Sequence, residues 1–110
     1  DGSWEAIKEE ERSDGDDGSL LAGVAIALPA LKRSQKMGKR AARAGFDWPD
    51  REGVHDKIGE ELREVEEAAR AGDIAAAEDE LGDLLFAVVN LARHLKVDAE
   101  KALSCANNKF

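Results

Sequence analysis

Apolar residues recur along this chain at helical spacing. Val54, Ile58, Leu62, Val65 and Ala69 follow one another at intervals of four, four, three and four residues, which is the repeat of one helix face. The pattern predicts a helix over residues 54–70, stopped at the Ala71-Gly72 pair. Asp73 then offers an N-cap for a second helix reaching about residue 95, with Ile74, Ala77, Leu81, Leu85, Val88, Ala92 and Leu95 as its stripe. Asp98 is the next N-cap, and the helix behind it is expected to turn Ala102, Leu103, Ala106 and Phe110 inward. Upstream, Pro29 suits the first position of a helix over 29–44 that stops at Gly45. Thr and Tyr are absent and Val and Ile are few, so the residues that sheets favour are scarce. The expected fold class is all-α, a bundle of about four helices per chain.

The first 27 residues read differently. DGSWEAIKEEERSDGDDGS is acidic and broken by Gly and Ser, with room for one short helix over 4–12 and a flexible linker over 13–19. LLAGVAIALP follows without a clear period, as an irregular lead-in. A chain opening in such a segment reads as a piece of a longer protein, with its helical domain over 28–110. At 110 residues there is room for one modest core. Four amphipathic helices with so little to bury them imply completion of the bundle by a homodimer.

Charge and composition narrow the partners. A net charge of -8 argues against a nucleic-acid polymer, whose phosphates require a basic surface. No apolar run approaches the ~20 residues that span a bilayer and no signal peptide opens the chain, so a cytoplasmic location without a membrane partner is expected. The one cysteine, Cys105, can form neither an internal disulfide nor a Cys-based zinc site, and reads as a small residue inside the last helix. The first helix carries Lys32, Arg33, Lys36, Lys39, Arg40 and Arg43, the only concentrated basic stretch. These form either a solvated face paired with acidic helices or a face of which one or two residues hold an anion. In the loop GFDWPDREG, Phe46 and Trp48 either cap the core or, for Trp48, offer a ring on which a nucleobase stacks.

A helical wheel sorts the acidic residues. With Ile58 at zero, Glu61 lies roughly 60° from the stripe centre, with Lys57 and Glu64 roughly 100–120° away on the same flank. Glu60 is further round and Glu67 points away. On the second of these helices Glu80, Asp83, Asn90 and His94 form one polar strip through the otherwise apolar LGDLLFAVVNLA. Carboxylates one turn apart on so apolar a helix are costly unless a cation neutralises them. The two pairs, Glu61/Glu64 and Glu80/Asp83, therefore suit a hard divalent ion such as Mg²⁺, with Mn²⁺ as a substitute. Zinc is disfavoured, because only His55 and His94 are available. His94 itself reads as partly buried and hydrogen-bonded.

Glu60-Glu61-x-x-Glu64 followed by Glu80-x-x-Asp83 resembles the EExxE…ExxD signature of the all-α nucleoside triphosphate pyrophosphohydrolases. The likeness to the MazG family is closer still. LPALKRSQKMGKRAARAGFDW, KIGEELREVEEA, EDELGDLLFAVVNLARHL and AEKALSCANNKF resemble its helices in order, and the opening WEAIKEEER weakly resembles the linker before the second MazG domain of two-domain members. The resemblance implies Mg²⁺-dependent cleavage of (deoxy)nucleoside triphosphates to monophosphate and pyrophosphate, in nucleotide-pool housekeeping. It assigns Glu61, Glu64, Glu80 and Asp83 to the metal and adds Glu60 to the catalytic set. It places Lys57 and Lys109 on phosphates, and Asn90 and Asn107 near the substrate. The family's basic continuation beyond Lys109-Phe110 has no counterpart here, which implies a domain shortened at its C-terminus.

Two rival readings carry different expectations. A catalytically silent dimerisation or regulatory module would use the apolar helices and leave the carboxylates idle. A carboxylate-bridged di-iron domain needs an inward Glu-x-x-His pair, and the chain has none.

Overall fold

The structure, a computed structural model, describes residue 24 and residues 28–110. The expected helix over 4–12, the linker over 13–19 and most of the lead-in lie outside the described residues. Four helices follow in order: α1 (Ala30–Arg43), α2 (Arg51–Arg70), α3 (Ile74–His94) and α4 (Ala99–Lys109). No strand occurs among the described residues, and none of their helices is long and apolar enough to cross a membrane.

Short acidic side chains start three of the helices. Asp50 Oδ1 accepts from Gly53 N (3.2 Å), Asp73 Oδ1 from Ala76 N (3.0 Å) and Asp98 Oδ1 from Lys101 N (3.2 Å). Helix α2 thus begins at Arg51, three residues before the apolar repeat, because Asp50 satisfies a free first-turn amide there, that of Gly53. Gly53 does not break this added turn. The Trp48 side chain lies against it so closely that a Cβ at Gly53 would stand 2.9 Å from Trp48 Cδ1.

Three helices end in the same motif. In α1, Phe46 N bonds Ala41 O and Gly45 N bonds Ala42 O; in α2, Asp73 N bonds Ala68 O and Gly72 N bonds Ala69 O. Gly45 and Gly72 occupy the left-handed position, with φ of 93° and 73°. Helix α3 closes identically, Val97 N on Ala92 O and Lys96 N on Arg93 O, but there the left-handed residue is Lys96, φ 61°. A side chain in that conformation costs about 1 kcal/mol relative to glycine.

The short turn over 71–73 folds α2 back along α3, and this is the most extensive pairing among the described helices. Helix α1 crosses α3, and α4 packs against α1 and α3. Val24, Met37 and Ala41 are buried together, with Phe46 and Phe86 against them; Val54, Ala87 and Val89 are the other buried apolar residues among those described.

The helix periods held, but the faces did not all turn inward as expected. On α3 the stripe of Ile74, Leu81, Leu85, Val88 and Leu95 stands exposed. The side of α3 that packs is the opposite one, carrying Ala87, Asn90, Asp83 and Phe86, roughly 120–180° round from Leu81. On α2 the packed face is Val54, Lys57 and Glu61, while Leu62 is exposed. Helix α4 buries no residue, so Ala102, Leu103, Ala106 and Phe110 face outward, as does Cys105. A helix apolar on most of its circumference does not declare which arc its neighbours will cover.

A loop carboxylate fastens the far end of α3. Asp47 Oδ2 and Oδ1 accept from Arg93 Nη1 (3.1 Å) and Nη2 (2.7 Å), and His94 Nε2 lies 3.0 Å from Asp47 Oδ1. The expectation of a partly buried, hydrogen-bonded His94 is met. Burial opposes the Asp47 charge, but the hydrogen bonds from Arg93 and His94 outweigh it and hold the carboxyl below its ordinary value. This contribution to stability is complete above the unfolded value of 3.8 and is lost as pH falls through the lowered one. Replacing Asp47 with Ala strands Arg93 and His94 and is expected to cost about 2 kcal/mol in urea unfolding near pH 7. The deficit should shrink as pH falls below 3.8, where the unfolded chain's Asp47 takes up its proton first, and vanish once the folded one is protonated too.

Candidate metal centre

The inward faces of α2 and α3 bring carboxylates together. Oxygen atoms of Glu61 on α2 and of Glu80 and Asp83 on α3 all lie within 4.8 Å of one another, as do those of Glu60, Glu61 and Glu64. Glu61 belongs to both groups and is 2% exposed. Glu64, Glu80 and Asp83 are half-buried, and Glu60 reaches outward with its side chain 49% exposed. The wheel separated Glu61 and Glu64 from Glu67 correctly: Glu67 is exposed on the far side.

Electrostatics mark the cluster as strained by its own charge. Burial, a hydrogen bond shared with Glu64 and the charges of Glu64 and Asp83 push Glu61 up to about 7, against the pull of Lys57. Glu80 is raised as well, first by burial and then by Glu64, Asp83 and Asp79. Glu64 is the common neighbour, hydrogen-bonded to Glu61 and to Glu80. Lys57, 5% exposed, is the cation within this group, its Nζ 3.3 Å from Glu60 Oε2. An ammonium is seldom buried, and here the adjoining carboxylates repay its desolvation.

This donor set fits a hard divalent ion. Its ligands are all carboxylate oxygens, with no sulfur or imidazole among them, which suits Mg²⁺ or Mn²⁺ better than zinc. Protons on Glu61 and Glu80 are what such a cluster takes up when no cation balances it.

The remaining expected site residues are spread out. Trp48 is half-buried against the first turn of α2, about 12 Å along the helix from Glu61, and Phe46 packs on the core, so both loop aromatics cap packing. Asn90 is 3% exposed beneath α1, its Oδ1 3.5 Å from Arg93 Nη2. Asn107 and Lys109 are exposed on α4, whose main packing partners are α1 and α3. Sequence reasoning did not anticipate the burial of Lys57 or the Asp47–Arg93 pair. Lys57 had a signal, since it shares the flank of Glu61 and Glu64; Asp47 had none, because its partner is 46 residues away.

Comparison with known proteins bears on the same residues. Residues 29–109 match the family described as phosphoribosyl-ATP pyrophosphohydrolase. A nucleoside triphosphate pyrophosphohydrolase of Escherichia coli (strain K12) is 52% identical over 109 residues, 97% of this chain and 41% of that protein. A nucleoside triphosphate pyrophosphohydrolase/pyrophosphatase MazG of Thermotoga maritima is 44% identical over 107 residues, 97% of this chain and 40% of that protein. An uncharacterized protein YabN of Bacillus subtilis (strain 168) is 42% identical over 98% of this chain, which covers 22% of it. The chain thus spans less than half the length of the curated relatives it matches. An all-α chain with paired carboxylates on adjacent helices, matched along 29–109, belongs to the phosphoribosyl-ATP pyrophosphohydrolase family and is MazG-like within it.

Proposed function

We propose that this chain is a Mg²⁺-dependent pyrophosphohydrolase domain, with Mn²⁺ as a substitute, acting on (deoxy)nucleoside triphosphates to yield monophosphate and pyrophosphate. The observation that carries this reading is the convergence of Glu61, Glu80 and Asp83 oxygens from two helices. The matched relatives named pyrophosphohydrolases support it. The setting is the cytoplasm and the task nucleotide-pool housekeeping.

Glu61, Glu64, Glu80 and Asp83 are the residues that hold the ion. When bound, it supplies charge neutralisation and Lewis acidity toward phosphate oxygens. Lys57 adds a fixed positive charge beside the carboxylates and, with Lys109, serves the phosphates. Glu60 or Glu64, whichever carboxylate oxygen is left free, accepts the proton of the attacking water. Asn107, exposed on α4, is the remaining substrate contact in this proposal; Trp48, packed on Gly53, and Asn90, buried beneath α1, are not among them.

The active form in this reading is a homodimer. Leu81, Leu85 and Val88 on α3, Leu62 on α2 and Leu103 on α4 are all between 44% and 49% exposed or, for Leu85, 52%. So many large apolar side chains left in water on a small chain call for a cover, and a second copy provides a self-complementary one.

Three measurements test this function. Asp83→Asn removes one charge and keeps the shape, so Mg²⁺-dependent pyrophosphate release from a nucleotide panel should fall by about two orders of magnitude or more. Glu67→Gln should leave it nearly unchanged. Release from no nucleotide by the wild type would favour the silent dimerisation module instead.

Proton linkage gives the second test. The folded state binds a proton on Glu61 more tightly than the unfolded chain, whose Glu titrates near 4.5. In EDTA, stability contributed through Glu61 should therefore decline as pH rises from 4.5 through about 7. Saturating Mg²⁺ or Glu61→Gln should flatten that slope in thermal melts.

Oligomeric state gives the third. The wild type should sediment as a dimer, and Leu85→Glu, which places a charge in the apolar face, should sediment as a monomer.

A further inference from the structure

We propose that the cavity between α1 and the α3–α4 turn binds the phosphate chain of a linear polyphosphate, without a metal ion and apart from the carboxylate centre. The cavity measures about 600 Å³ and is lined by Lys32, Lys36, Lys39, Arg93 and Lys96, with Asp98 its one acidic residue. In a chain with 24 acidic and 16 basic residues, five cations around one opening are a local reversal of charge. Arg93 spends its guanidinium on Asp47. The ammonium groups of Lys32, Lys36, Lys39 and Lys96 form no hydrogen bond or ion pair among the described residues. Asp98 is occupied in capping α4.

The arrangement is held, not incidental. Lys32, Lys36 and Lys39 recur at intervals of four and three residues, so they share one face of α1 where like charges repel. Gln35 on the same helix fastens that face to the turn with both ends of its amide: Nε2 donates to Val97 O (2.7 Å), and Oε1 accepts from Ala99 N (2.8 Å). The turn in question carries Lys96 in the left-handed conformation that Gly45 and Gly72 fill at the other two helix ends. A glycine would close α3 at lower cost, but it would remove the cation that faces α1 across the cavity. Several ammonium groups converging on one opening suit a ligand with several negative charges along its length, and a phosphate chain is such a ligand. Arg93 lies ten residues beyond Asp83, about 15 Å along α3, which separates the two centres. Of the two roles open to the basic stretch in the sequence, this proposal takes the second: Lys32, Lys36 and Lys39 pair with no acidic side chain among the described residues and are left for an anion.

Calorimetric titration of the full chain in EDTA tests this, with inorganic tripolyphosphate and ATP as separate probes. Both should bind saturably and more weakly as salt rises. Lys36→Glu should weaken binding by about tenfold or more, and Lys96→Gly by about fivefold. Lys96→Gly should at the same time raise the melting temperature, so its loss of affinity cannot come from unfolding. Asp83→Asn should bind as the wild type does, which separates this site from the proposed catalytic one. Tighter binding of ATP would identify the ligand as a nucleotide, and equal binding would identify the bare phosphate chain; both support the site. Absence of saturable binding in EDTA, wild-type affinity in both lysine variants, or loss of binding in Asp83→Asn would overturn it. So would tighter binding of a short single-stranded DNA at equal phosphate concentration, which would make the face a nucleic-acid surface.

Discussion

The pairing of α2 with α3 through faces that carry carboxylates is the constraint on which the rest of the structure depends. Most helical hairpins meet through Leu and Val. Here the joint contains Val54 beside Lys57 and Glu61, all buried. Placing that charge inside is unfavourable unless it is balanced. Lys57 balances part of it, and the proton drawn onto Glu61 as its carboxyl rises to about 7 balances more. A divalent ion would balance it best, because buried carboxylates attract a cation more strongly than exposed ones do.

The outward turn of the Leu81–Leu85–Val88 stripe follows from this arrangement. Helix α3 has one strongly apolar arc and one mixed arc, and the mixed arc is committed to α2 and α1. The apolar arc is left without a partner among the described residues, which explains why so few of their apolar side chains are fully buried. The elements at the other end of α3 compensate locally. Asp47 fastens Arg93 and His94, and Gln35 fastens the turn that follows, so α3 is anchored at its C-terminal end by polar contacts where the core is thin.

Charge is thus partitioned along one helix. The first half of α3 faces α2 with carboxylates, while Arg93 in its last turn and Lys96 in the turn that follows join the lysines of α1 around one cavity. Centres of opposite sign about 15 Å apart suit different ligands, and the two proposals assign a cation to one and a polyanion to the other.

Much of this was legible before any coordinates. Helix periods, the caps Asp73 and Asp98, the stops at Gly45 and Gly72, and the wheel positions that set Glu61 apart from Glu67 are local properties, decided by residues within a turn or two of each other. The family's signature residues are local in the same sense. What the tertiary structure alone decided is orientation. Periodicity gives the angle between Leu81 and Asp83 but not which of them faces the neighbouring helix, and on α3 the arc opposite the Leu81 stripe won. The burial of Lys57, the exposure of all of α4 beyond Glu100, the Asp47–Arg93 pair across 46 residues and the placement of Lys96 opposite Lys36 depend on contacts between elements far apart in the chain. Such contacts are set by which surfaces can be covered at once, a condition on the whole fold that no local stretch of sequence expresses.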